Sequence, residues 1–169
     1  MTTKVIEHDA NGLIRNVDAP FQAFACIYRG AATPTPQTIL AGTTWTKVTP
    51  FDAAMAEFAR ANPDFANAQI VLESAGVYRL SISRAFTVSA MSPVDWESAI
   101  GVNGVLQPQF SQGIQTTSAS QVYQNSQAGL FAAPAGAEIA LFIRHGSGSS
   151  VSLSYITASL SINRIGNIP

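Results

Sequence analysis

The chain has 169 residues, of which 47% are hydrophobic and 11% charged, with a formal net charge of −1. That length suffices for one domain with a real core, and so small a net charge removes the electrostatic case for nucleic acid or an anionic membrane as partner. No run reaches the length of a membrane span, and the single cysteine, Cys26, excludes an intrachain disulfide.

Met1–Ala19 mixes Lys4, Glu7, Asp9, Arg15 and Asp18 with Asn11-Gly12 and shows weak periodicity. It reads as an extended N-terminal arm, residues 1–19, ahead of a domain at 20–169. Fully stretched, the arm would reach roughly 65 Å at ~3.4 Å per residue. It carries no apolar stretch of signal-peptide length, so the expectation is a protein made soluble in a cytoplasm. Phe21–Gly30, FQAFACIYRG, fits a strand or a short helix by period. Ala31–Gln37, with two prolines, reads as a connection, and Thr43–Val48 as a short strand rich in β-branched and aromatic residues.

The next segment carries the one good helix signal. Thr49-Pro50-Phe51-Asp52 offers an N-cap, a proline at the first helical position and an acid at the third. Phe51, Met55 and Phe58 follow at i, i+4 and i+7, and Asn62-Pro63 supplies a stop. A short amphipathic helix inserted between strands is predicted here.

From Gln69 onward the pattern is β. In GVYRLSISRAFTVS (Gly76–Ser89), Tyr78, Leu80, Ile82, Phe86 and Val88 share one face, with Arg79, Ser81, Ser83 and Thr87 opposite. Arg84 falls on the apolar face; a bulge that re-phases the strand is the favoured account, a guanidinium paired between subunits the other. Asn103-Gly104 marks a turn or bulge within Ala99–Leu106. Gln107–Gln127 is polar, with a strand expected near Val122-Tyr123, and His145–Ser150 reads as a loop. Ile139–Ile143, IALFI, is apolar on both faces, as in a strand covered on both sides. Val151–Ile165 changes phase after Tyr155, which implies a bulge there. Many short strands with Gly/Ser/Asn turns predict an all-β antiparallel sandwich of the jelly-roll kind.

Beyond Ser98 only Glu138, Arg144 and Arg164 are charged. A β surface coated with Ser, Thr, Gln and Asn accounts for this, and so does a subunit interface, whose core is depleted in charge.

Groups for catalysis are few. His8 and His145 have no partner at metal-ligand spacing. Asp95-x-Glu97 has the composition of a sugar-hydrolysing carboxylate pair, but after Ser92-Pro93 it reads better as a solvated turn. Ser147, Ser149 and Ser150 lack a nucleophile elbow, and Cys26, between Ala25 and Ile27, reads as a small core residue. The expectation is a protein that is not an enzyme and needs no cofactor or metal.

Several segments, in this order, resemble the tumour-necrosis-factor-like jelly roll, which also forms the globular heads of complement collagen-like proteins. FQAFACIYRG resembles its first strand and TTWTKVTPFD its second. ESAGVYRLSISRAF resembles its Gly-x-Tyr-led central strand, and IGVNGVLQP its strand with Asn-Gly. LFAAPAGAEIALFIRH and SLSYITASLSINRI are similar to its last two stretches. The family commonly has an acid straight after the glycine matched by Gly136, where this chain has Ala137 and then Glu138.

The resemblance implies a homotrimer. Arg84, Leu141, Phe142, Ile143, Tyr155 and Leu160 are then the expected interface residues. Small trimeric jelly rolls with a short arm recur among bacteriophage virion proteins, and the Ser/Thr/Gln/Asn/Ala-rich texture here resembles theirs. The expected role is a capsid decoration (cement or head-fibre) protein on the virion exterior. Lys4, Glu7, Asp9, Arg15 and Asp18 would tie it to a major capsid protein. The alternative is the receptor- or glycan-binding head of a phage tail fibre, gripping through Gln107–Gln127 and His145–Ser150.

Overall fold

Period-two alternation becomes antiparallel strands in a computed structural model that describes residues 23–55, 58–89, 93–119 and 121–167, with the backbone of 6–8 and 14–16. In chain order these are β1 (Ile6–His8), β2 (Ile14–Asn16), β3 (Phe24–Tyr28), β4 (Thr35–Ile39), β5 (Thr46–Lys47), β6 (Ala53–Ala54) and β7 (Ala61–Asp64). There follow β8 (Gln69–Leu72), β9 (Gly76–Val88), β10 (Val94–Val102), β11 (Val105–Thr116), β12 (Tyr123–Ala133), β13 (Glu138–His145) and β14 (Val151–Gly166). β1 and β2 pair antiparallel, Glu7 opposite Arg15. That part of the N-terminal segment doubles back on itself, so the reach of a fully extended arm does not apply to it.

The remaining strands form two six-stranded sheets. Sheet one runs β12-β9-β14-β3-β6, with β4 also on β14; sheet two runs β11-β10-β13-β8-β7, with β5 on β13. This is the antiparallel sandwich the sequence predicts. Tyr78, Leu80, Ile82 and Phe86 of β9 belong to one buried cluster with Trp96, Ile100, Phe110, Leu141 and Ile143 of sheet two. Each large apolar side chain so buried contributes about 1.5–3 kcal/mol. The phase change expected near Tyr155 is a bulge: Tyr155 faces Phe86 and Thr157 faces Ala85, which leaves Ile156 as the extra residue.

Among the described residues the predicted helix is absent. Ala53 and Ala54 form β6 against Tyr28 and Ile27, and Ala59 bridges Phe24. The backbone groups of Asp52 and Met55 bond to Tyr28 and Cys26 across the strand edge. The free edge of β3 satisfies donors that a helix would have satisfied within itself, and tertiary pairing overrides the local signal. Asp52 caps no helix; its carboxylate accepts the backbone N–H groups of Gly30 at 2.5 Å and Ala31 at 3.1 Å. Of the expected stripe, Phe51 enters the core while Phe58 is 50% exposed. Asn62-Pro63, read as a stop, lies within β7.

Two further expectations change. The second half of the Ala31–Gln37 connection is β4, and Gln107–Thr116 of the polar stretch belongs to β11, while the strand expected near Val122-Tyr123 is β12. Prolines in β4 and β11 weaken the strand signal of those segments. Pro36, Pro63 and Pro108 lie in β4, β7 and β11, which pair on one side only, where a missing N–H costs no ladder bond. Asn103 and Gly104 have φ of 51° and 76°, the paired positive values of a two-residue type I′ hairpin joining β10 to β11.

Candidate functional site

Two surfaces gather the chain's exposed polar chemistry. The first lies at the end of sheet two where β10 begins and β13 ends. Strand alternation sends Asp95 and Glu97 outward while Trp96, 2% exposed, goes into the core. Asp95 and Glu97 are therefore strand residues, and not the solvated turn expected. Gln115 of β11 donates from Nε2 to Asp95 Oδ1 at 2.8 Å. Glu97 accepts from the Ser111 hydroxyl and from the Arg144 guanidinium, and Arg144 Cζ stands 4.6 Å over the Trp45 ring centroid. Ser111 first, and Arg144 after it, hold the Glu97 carboxyl below its ordinary range. A glycosidase acid needs the opposite shift; the Glu97 carboxylate is instead arranged to accept hydrogen bonds.

Loops close the same end. Gly146 N–H donates to Asp95 O at 3.1 Å and Gly42 N–H to Ser147 O at 3.0 Å. His145 is buried against Trp96, ring centroids 4.8 Å apart. Its Nδ1 accepts the Ser147 N–H at 3.1 Å, so Nε2 carries the proton and donates to Ile39 O at 3.2 Å. A cleft of about 220 Å³ remains, bordered by Thr43, Asp95, Glu97, Arg144 and Gly146 over Trp96 and His145. Among the described residues no group of three or more His, Cys, Asp or Glu is placed to hold a metal ion.

The second surface is the outer face of sheet one, where the register of β12, β9, β14 and β3 sets side chains in transverse rows. One row is Leu130, Arg79, Asn163, Phe24; the next is Ala128, Ser81, Ser161, Cys26; the third is Ser126, Ser83, Ser159, Tyr28; and Gln124, Ala85, Thr157 extend the pattern. Arg79 is the one charged residue in these rows. Small side chains make the face shallow, with two open depressions of about 450 Å³ and 320 Å³. Cys26 is on this face, half-buried, and not among the core residues as expected.

The predicted interface residues lie elsewhere. Leu141, Ile143, Tyr155 and Leu160 are at most 1% exposed within the single chain and fill the space between the sheets, so they leave no surface for a neighbour. Phe142 faces outward on sheet two, half-buried across Gly101, where an added Cβ would sit 2.5 Å from its ring.

Arg84 is not at a bulge of the β9–β12 ladder, and it is buried within the single chain. β9 pairs with β12 without a shift from Gly76 to Phe86, so Arg84 stays in phase with the buried face and is 2% exposed. Its Nη2 donates to Ser98 Oγ at 2.5 Å, while Nε and Nη1 have no hydrogen-bond partner. Burial pushes its pKa down and that of the nearby Tyr155 hydroxyl, also unpartnered, up. Of the predicted arm residues, Glu7 and Arg15 lie opposite each other in the β1–β2 pair, and Lys4, Asp9 and Asp18 lie outside the described residues.

Sequence reasoning missed the association of Trp45, Glu97, Ser111 and Arg144, which come from four strands or loops far apart in the chain. The one available signal was the i, i+2 spacing of Asp95 and Glu97.

No protein-family model matches the chain, and no curated protein matches it by sequence. Solved structures do match by fold. The Eiger TNF of S. frugiperda aligns with a TM-score of 0.56 and 11% identity over 88% of this chain and 96% of that one. The globular domain of the zebrafish complement 1qA protein aligns with a TM-score of 0.56 and 10% identity over 87% and 99%. The sandwich is a TNF-like jelly roll; at this identity the likeness extends to the fold alone.

Proposed function

We propose that the chain is a structural virion protein, a homotrimer that decorates and stabilises a phage capsid. The observation that carries the reading is the outer face of sheet one, where four strands present small and polar side chains with Arg79 as the one charge. β9 has 13 residues, so with strands about 4.8 Å apart the face is roughly 40 Å by 15–20 Å, or about 600–800 Å². That compares with the ~800 Å² each partner gives to a stable interface. Half-exposed Leu130 and Tyr28 at its margins add apolar area. The TNF-like fold supports threefold closure, which would also cover strand edges.

The capsid part of the reading rests on the charged N-terminal segment and the Ser/Thr/Gln-rich texture. Three such segments per trimer would bind a lattice multivalently, and a protein that binds only the assembled shell stabilises it by mass action. Co-sedimentation with phage heads tests this, using the full chain and a form lacking residues 1–19. The full chain is expected to bind, and the shortened form to lose binding while keeping its oligomeric mass. Undiminished binding by the shortened form would overturn the role of the segment; failure of the full chain to bind would overturn the capsid reading.

A further inference from the structure

We infer that the cleft between the β10 and β13 ends binds one sugar ring of a glycan, a role that does not depend on capsid decoration. Its volume, about 220 Å³, is below the roughly 300–1,000 Å³ of pockets for drug-sized ligands, so it takes a single small ring. The rim offers fixed acceptors and fixed donors side by side. Gln115 holds one oxygen of Asp95, and the other takes no bond from the described residues. Arg144 uses Nε and Nη2 on Glu97 Oε2, which leaves its Nη1 outside that pair. Thr43 adds a hydroxyl at the rim.

Alternating donors and acceptors suit hydroxyl groups, each of which both gives and accepts a hydrogen bond. An inorganic anion would meet the Asp95 carboxylate, and with Glu97 already neutralised by Arg144 the rim carries one excess negative charge. Among the described residues, no third His, Cys, Asp or Glu joins Asp95 and Glu97 to hold a metal ion. A small amine could use the acceptors but would leave the Arg144 and Thr43 donors idle. The polar groups are also held in place before binding, by Gln115, Ser111 and the Trp45 ring, which lowers the entropic cost of capturing a weak ligand.

The experiment is a backbone-amide and indole NMR titration of the full chain. The probes are glucose, galactose, mannose, N-acetylglucosamine and N-acetylgalactosamine, taken singly, with putrescine and inorganic phosphate as controls. The inference expects saturable shifts with at least one sugar at Thr43, Asp95, Arg144, Gly146 and the Trp45 indole. Asp95→Asn and Thr43→Ala, checked for unchanged melting, are each expected to weaken that binding at least about tenfold, while Ser83→Ala on the far sheet leaves it intact. No saturable shift with any of the sugars, shifts that survive both rim variants, or a saturable response confined to putrescine or phosphate would overturn it.

Discussion

At the scale of single residues, two charged groups behave in opposite ways. Arg84 is buried with one hydrogen bond and, among the described residues, no acidic partner, so its charge costs more than it returns. Arg84→Met, which keeps the length and removes the charge, is expected to raise unfolding free energy by about 1 kcal/mol or more, read by urea denaturation. A loss of stability would mean that the guanidinium is compensated in the core. Glu97 is the reverse case. Its folded pKa lies below the ordinary 4.5 through Ser111 and then Arg144, so its contribution is complete above that value and is lost as pH falls through the folded pKa. Stability of Glu97→Gln is expected to vary less than the parent's between about pH 5 and pH 3; parallel curves would contradict the assignment. Arg84 was legible in part, because simple alternation already puts it on the apolar face. A buried unpaired cation is so costly that sequence logic prefers a bulge, and only the unbroken β9–β12 register shows that the strand accepts the cost.

At the scale of elements, the long strands were legible and the short ones were not. β9 and β14 carry enough alternating residues to fix their faces, and even the β14 bulge is visible as a change of phase. β6 has two residues and is defined by the β3 edge it covers, so a helix pattern of Phe51, Met55 and Phe58 could mislead. Packing across the sandwich is similarly non-local. Gly129 of β12 lies under the Phe110 ring of β11, which is 1% exposed and edge-on to Phe131 with centroids 6.0 Å apart. A methyl group there would overlap a ring that has nowhere to go. Gly129→Ala is therefore expected to cost about 1–3 kcal/mol, seen as a lower denaturation midpoint with an unchanged slope. An unchanged midpoint would show that β11 shifts freely.

At the scale of the whole molecule, the sandwich and its jelly-roll likeness were legible because apolar alternation and turn residues agree along most of the chain. The proposed interface was not. Leu141, Ile143, Tyr155 and Leu160 all belong to the charge-poor C-terminal half, yet the two sheets of the sandwich need a core of their own, and the core took them. What remains for assembly is the face that looked merely polar, the rows centred on Ser81–Ser161 and Ser83–Ser159. The measurement that tests this most directly is the solution mass by light scattering after size exclusion, for the parent and for Ser83→Arg. The parent is expected at three times the 17.8 kDa chain mass, and the variant, with a bulky charge set in the middle of a desolvated face, at 17.8 kDa with its fold retained. A monomeric parent, or a variant that stays trimeric, would contradict assembly through sheet one.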